Sequence, residues 1–189
     1  GSIRFSLQAL LKPHDKILVH DAPVYSTTGT TFEAMGLNIV KADMNDIQKL
    51  LNALTPDIKL VYIQHSRQKI SDSYDTYKII KTLRKVSGIP IVTDENYTIF
   101  KTRYIGAQLG ANASCFSLFK LSGPEGIGCV VGDNKVIDMI RKMNYSGGGQ
   151  VQGPEAMEAL RAMVGVPVAL AIQSEEIEKV AKSINDGNI

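Results

Sequence analysis

Tryptophan is absent from the chain, cysteine occurs twice, and aromatic residues make up only 6% of the sequence. With so few rings, small and branched aliphatic side chains must fill the interior. The two cysteines, Cys115 and Cys129, form neither a CxxC pair nor a spaced framework. That excludes a disulfide-stapled secreted scaffold and points to a reducing, cytoplasmic setting. Both sit in apolar stretches, where a buried inert thiol is expected. Charge of one sign is not concentrated anywhere: 21 Lys and Arg face 19 Asp and Glu, for a net charge of +2. Neither a nucleic-acid stripe nor a polybasic membrane patch is indicated. No apolar run approaches the ~20 residues of a membrane helix, and no signal-peptide pattern opens the chain. The three histidines are scattered and no HExxH occurs, so no metal site is expected. The glycines between Gly123 and Gly128 lack the dinucleotide-binding spacing, and no Walker motif is present.

What remains is an ordinary globular composition, 44% hydrophobic over 189 residues. It suits one domain with a core that needs no disulfide or metal. Ser2 is read as the cap of a helix whose apolar positions Ile3, Leu7, Leu10 and Leu11 share a face. Short apolar runs predict strands at Lys16–His20, Leu37–Lys41, Leu60–Gln64, Ile89–Thr93, Ala113–Leu118 and Gly128–Gly132. Helices are expected from Asn45 to Leu54, Ser73 to Val86 and Asp133 to Met143. Further helices are expected over most of Pro154–Ile184, broken near Gly165-Pro167. Strands alternating with helical patterns argue an α/β domain with a mostly parallel sheet. Ligands bind such sheets at the carboxyl ends of the strands, which selects the loops after His20, Gln64, Thr93 and Ser117.

Two residues at those ends carry chemistry. Asp94 follows the apolar strand Ile89–Thr93. A carboxylate there is costly unless a cation or hydrogen-bond donors satisfy it; a helix cap or salt-bridge partner is the plainer reading. Lys120 follows the strand ending at Ser117 and lies in an apolar stretch. Partial desolvation favours its neutral, nucleophilic amine; a lysine whose stem lies along apolar surface is the plainer reading. At successive strand ends, the two can converge on one crevice.

The order strand–Asp94–x–x–Tyr97, strand–Ser117–x–x–Lys120, then a glycine-containing turn and strand, resembles the fold-type I pyridoxal-phosphate (PLP) enzymes. These include aspartate aminotransferase, cystathionine lyases, cysteine desulfurases and selenocysteine-synthase-like proteins. The resemblance covers nearly the whole chain, is strongest from Ile89 to Gly132, and is closest to class V-like aminotransferases. It implies a three-layer α/β/α large domain over residues 1–189, inside a longer subunit with an N-terminal segment and a C-terminal small domain beyond it. It implies PLP as cofactor, with Lys120 forming the Schiff base and Asp94 keeping the pyridine nitrogen protonated, so that the ring serves as an electron sink. It assigns Tyr97 to the ring hydroxyl, Ser117 to the phosphate and Tyr25 to stacking on the ring. Core packing is the alternative for Tyr25.

The resemblance also places Gly1 and Ser2 at a phosphate-binding helix start, which reads them as native residues of a longer protein; a cloning scar is the alternative. Tyr145–Gln150, with Ser146 and Gly147, resembles a segment that crosses a homodimer interface to the partner's site; a flexible linker is the alternative. Two departures stand out. No Asn-Pro occupies Gln64-His65-Ser66-Arg67-Gln68, so His65 or Arg67 would take the ring hydroxyl or a substrate carboxylate. No arginine follows the lysine between Gly123 and Gly128. The implied activity is aminotransferase-like action on a small amino acid. A carbon–sulfur lyase or related eliminating enzyme is one alternative, and a non-catalytic relative or inactive fragment is another. A serine hydrolase of the S-x-x-K type is disfavoured, because Ser117 ends a strand and no K-T-G follows.

Overall fold

The computed structural model describes residues 1–145 and 148–187, in two compact units. The larger comprises Gly1–Ser117 and Gly128–Gln150. In chain order its elements are α1 (Ser2–Leu10), β1 (Lys16–His20), α2 (Ser26–Ala34), β2 (Asn38–Ala42), α3 (Ile47–Ala53) and β3 (Ile58–Gln64). They continue with α4 (Thr76–Val86), β4 (Ile91–Asp94), α5 (Gly106–Leu109), β5 (Ala113–Ser117), β6 (Gly128–Gly132) and α6 (Asn134–Asn144). The strands form one sheet in the order β2-β1-β3-β4-β5-β6. All neighbours pair in parallel except β6, which runs antiparallel to β5. This is the expected mostly parallel sheet.

Strands covered on both faces read as continuous apolar runs, and β1 and β3 do so. One face packs Leu7 of α1, Phe32 of α2 and Ile140 of α6 against Ile17, Tyr62, Val92 and Cys115. The other packs Leu50 of α3, Ile80 and Leu83 of α4 and Leu109 of α5 against Leu18, Ile63 and Ile91. The result is the expected three-layer α/β/α arrangement. Each fully buried aliphatic side chain contributes ~1.5–3 kcal/mol against solvent exposure. That is why the sheet centre tolerates almost no polar group until the strands end.

They end on polar residues. His20, Gln64, Asp94 and Ser117 are the last residues of β1, β3, β4 and β5. Parallel pairing puts all four on one edge, with Gln64 opposite Asp94 and Asp94 opposite Cys115.

The smaller unit comprises Leu118–Ile127 and Val151–Ile189. A 3-10 turn, Leu118–Leu121, packs against α7 (Gly153–Asn185). Leu118, Leu121, Ala159 and Val166 are its buried side chains. A Cβ at Gly123 would lie 3.1 Å from the Ala162 methyl carbon, so glycine permits the close approach.

Several local expectations need correction. Gly1, not Ser2, is the N-cap of α1, because the Ser2 hydroxyl turns to the Phe116 carbonyl, 3.4 Å away. Asp46, not Asn45, caps α3 by accepting the Gln48 and Lys49 N–H groups. α4 begins at Thr76 rather than Ser73, because Asp75 caps it through Tyr77 N and Lys78 N. The break foreseen near Gly165-Pro167 does not occur: α7 runs through Pro167 for 33 residues. An internal proline removes one helical donor, and here the turns on either side keep the helix continuous.

Candidate active site

Asp94 is 5% exposed. Its Oδ2 accepts the Tyr62 hydroxyl at 3.0 Å. Its Oδ1 accepts the Asn96 main-chain N–H at 3.0 Å and the Asn96 side-chain amide at 2.7 Å. All three donors are neutral. Burial raises the Asp94 pKa above the ordinary carboxylate value; the Asn96 and Tyr62 bonds oppose this and the neighbouring Glu95 charge adds to it. Tyr62, pushed well up by its own burial and then by the Asp94 charge, keeps its proton and remains a donor. The buried anion is thus hydrogen-bonded, and its charge is still disfavoured. A cation brought against it would relieve that cost.

Ser117 is half-buried, and its N–H donates to Asn96 Oδ1 at 2.8 Å. Asn96 therefore joins the ends of β4 and β5. The start of α1 reaches the same edge, because Ser2 lies against Phe116 of β5 and against Gly128, where a Cβ would come within 2.9 Å of the Ser2 hydroxyl. Gly1 O accepts the Phe5 N–H of the first turn at 3.1 Å, and no side chain caps the helix; the first N–H groups of a helix have no intrahelical acceptor and suit an anion. Tyr25, the N-cap residue of α2, is 52% exposed, and Tyr97 is 47% exposed beyond β4.

Glu95 escaped the sequence reading altogether. It is fully buried and satisfied on every side. Oε2 meets His65 Nδ1 at 2.6 Å and accepts the Thr98 hydroxyl at 2.6 Å. Oε1 accepts the Thr93 hydroxyl at 2.7 Å and the Gly106 N–H at 2.8 Å. Burial alone would raise its pKa, but His65, Thr98 and Gly106 together hold it below the usual carboxylate value. The available signal was the flanking hydroxyls, Thr93 two residues before and Thr98 three after.

A second polar network fixes the loop that follows β3. Asp72 accepts the Gln68 and Lys69 N–H groups at 3.0 and 2.7 Å, and its other oxygen meets His20 Nε2 at 3.0 Å. Gln68 and Lys69 then reach back to the Pro23 and Asp21 carbonyl oxygens. The loop carrying His65 and Arg67 is thereby tied to the loop carrying Tyr25. Arg67 is exposed.

In the smaller unit, Lys120 lies in the 3-10 turn, partly exposed, with Nζ 4.6 Å from the Phe119 ring centroid. Ser122, two residues on, has a left-handed φ of 56°. Ser146 and Gly147 lie outside the described residues. Among the described residues, no cluster of three or more His, Cys, Asp or Glu side chains could hold a metal. No described helix is long and apolar enough to cross a membrane.

The aminotransferase class-V family profile matches residues 3–162. The chain belongs to the aminotransferase class-V family. It is 47% identical, over its whole length, to the Escherichia coli (strain K12) protein YhfS, of which it spans 52%. It is 31% identical over 152 residues to L-methionine gamma-lyase of Pseudomonas putida, of which it spans 36%. The chain therefore covers about half or less of these relatives. The crystal structure of E. coli YhfS, described as a pyridoxal-5'-phosphate dependent protein, superposes on the entire chain with a TM-score of 0.93 at 46% identity and is covered to 52%. A methionine gamma-lyase, CalE6 of Micromonospora echinospora, superposes on 87% of the chain and is covered to 46%, with a TM-score of 0.72 at 19% identity. That second likeness concerns the fold alone.

Proposed function

We propose that this class-V family chain is the cofactor-binding part of a PLP-dependent enzyme acting on a small amino acid, with Lys120 as the amine that carries the cofactor and Asp94 as partner of the pyridine nitrogen. The observation that carries the reading is the Asp94 carboxylate: buried at a strand end, held by three neutral donors, and disfavoured as an anion. A protonated ring nitrogen held against Asp94 would supply the missing positive charge. The fit extends to the first-turn N–H groups of α1, which suit a phosphate dianion. It extends also to Tyr25, whose exposed face suits a flat heteroaromatic ring.

When bound, PLP supplies an electron sink that acidifies bonds at the amino acid's α-carbon. The chain's residues do the rest. Tyr62 and Asn96 orient the Asp94 carboxylate. Asn96 also holds the Ser117 N–H, and Ser117 would contact the phosphate. Lys120, as a free amine, accepts and returns the α proton. Tyr97 donates to the ring oxygen. The working form is a homodimer.

Transamination is the first reading of the overall reaction. Carbon–sulfur bond cleavage is the second, favoured by the 31% identity to L-methionine gamma-lyase. The test is to incubate the chain with PLP, reduce with borohydride and locate the adduct by mass spectrometry. The adduct is expected on Lys120 and absent from Lys120→Ala. An adduct that persists unchanged in that variant overturns the assignment. With L-methionine as probe, keto acid accompanied by a volatile thiol supports cleavage, and keto acid without thiol supports transamination.

A further inference from the structure

His20 and His65 lie at the ends of neighbouring strands, and their ring hydrogen bonds are opposite. His20 Nδ1 accepts the Met44 N–H at 3.0 Å, so its proton is on Nε2, which donates to Asp72 at 3.0 Å. Both nitrogens are committed, and the residue is 3% exposed. His65 Nδ1 lies 2.6 Å from Glu95, whose two oxygens already accept from Thr93, Thr98 and Gly106; a carboxylate that accepts on every side takes its histidine contact as an acceptor too, so Nδ1 carries the proton. Nε2 is therefore the acceptor nitrogen, and it bonds to no group among the described residues. The His65 side chain keeps 13% of its surface exposed. His20 closes both nitrogens inside the protein, whereas His65 closes one. His65 presents a lone pair at the carboxyl edge, next to Asp94, whose main-chain oxygen accepts the His65 N–H at 3.0 Å.

We infer that His65 is the proton acceptor for the ammonium group of the incoming amino acid, with Nε2 as the working atom and Glu95 as the positioning residue that fixes the tautomer. The inference rests on the PLP reading above. An ammonium nitrogen cannot form a new bond to carbon until one N–H bond breaks. The electron pair then stays on nitrogen, and the proton bonds to Nε2. Glu95 remains ionised and offsets the imidazolium charge, as the buried carboxylate does in a Ser-His-Asp triad. The proton leaves to solvent from the exposed side of the ring. Glu95 and Asp94 flank His65 at the end of β4, and its own loop carries Arg67, which is exposed, and Lys69, whose ammonium goes to the Asp21 carbonyl. Of these, Glu95 is the one bonded to the ring.

The test loads the chain with PLP, adds excess amine at neutral pH, and follows by borohydride trapping how fast PLP leaves Lys120. Glycine is an ammonium ion at that pH. Trifluoroethylamine, with its electron-withdrawing fluorines, is already neutral. His65→Gln is expected to slow exchange with glycine by at least about tenfold and to leave exchange with trifluoroethylamine near the wild-type rate. Glu95→Gln should show the same split to a smaller degree. Equal glycine rates, or an equal deficit with both amines, overturn the inference, since a purely structural role slows both alike. The zero-time sample separates the two proposals, because absence of any Lys120 adduct counts against the PLP reading itself. In that event the cofactor-free chain decides on His65: diethyl pyrocarbonate should modify His65 well before His20, and equal sparing of both overturns the open-Nε2 geometry.

Discussion

Asn96 donates to Asp94 Oδ1 at 2.7 Å through the same side chain whose oxygen holds the Ser117 N–H at 2.8 Å. One amide thus sets the spacing between the two strand ends proposed to grip opposite parts of one cofactor. The edge is organised by short bonds between consecutive strands rather than by long side chains reaching across it.

Asn96→Ala should therefore cost more than a surface substitution. It leaves the Ser117 N–H without its partner and removes one donor from Asp94, a loss of about 1–3 kcal/mol. Urea unfolding measures the first effect. The second appears as faster loss of PLP from the loaded chain on dialysis. Asn96→Asp, which keeps the acceptor but not the donor, should retain the Ser117 bond and release the cofactor faster still.

Asp94→Asn should separate stability from function. A raised carboxyl pKa means that ionised Asp94 costs stability at neutral pH, with the favourable contribution present only at lower pH where the group is protonated. The amide keeps the Asn96 contacts through its oxygen, and the Tyr62 hydroxyl rotates to accept from its nitrogen. The cofactor-free variant should be as stable as the wild type or more stable by ~1 kcal/mol. Its loaded form should lose most of its reactivity towards amino acids. Thermal melts and single-turnover absorbance changes read the two sides.

Asp72 gives the opposite pH signature. Burial alone would raise its pKa, but Lys69, His20, Asn45 and Gln68 hold it at about 2, below the ordinary 3.8. Its stabilisation is full above the unfolded value and is lost as pH falls through the window from 3.8 to about 2. The shift corresponds to roughly 2 kcal/mol. Urea midpoints measured across that window should fall for the wild type. Asp72→Asn should start lower at neutral pH and fall less.

Gly106→Ala tests the seat of Glu95. The added Cβ would lie 2.2 Å from the Thr93 hydroxyl oxygen, so α5 must shift and take the Gly106 N–H away from Glu95. A loss of about 1–3 kcal/mol is expected, measurable as a lower denaturant midpoint. Gly88→Ala, with open space around its Cβ position, is the matched control.

The sequence revealed the sheet well, because Lys16–His20 and Leu60–Gln64, the latter extended to Ile58 in the structure, are apolar runs too short for helices and punctuated by polar ends. The positions of Asp94 and Ser117 at strand ends, and of Lys120 just after one, were legible for the same reason: each interrupts or follows such a run. The burial of Glu95 was not, since a charged residue beside another charged residue reads as solvated, and only the fold reveals the donors around it. Nor was the structural use of His20, whose partners Met44 and Asp72 lie 24 and 52 residues away. The capping residues were missed by one or two positions because Asn45-Asp46 and Ser73–Asp75 each offer several acceptors, and tertiary demand decides. Asn45 is drawn off to the Ser73 and Tyr74 N–H groups. The continuity of α7 through Pro167 went against local propensity, since a single missing donor is a small perturbation in a helix of 33 residues.

The ties from Gln68 and Lys69 to the carbonyl oxygens of Pro23 and Asp21 join two segments more than forty residues apart in the chain. Neither loop can be remodelled alone. An insertion after Gln64 would carry Tyr25 with it, and a change at Asp21 would be felt at His65. Redesign of substrate preference at this edge therefore has to treat the pair as one inherited part, exchanged whole between relatives.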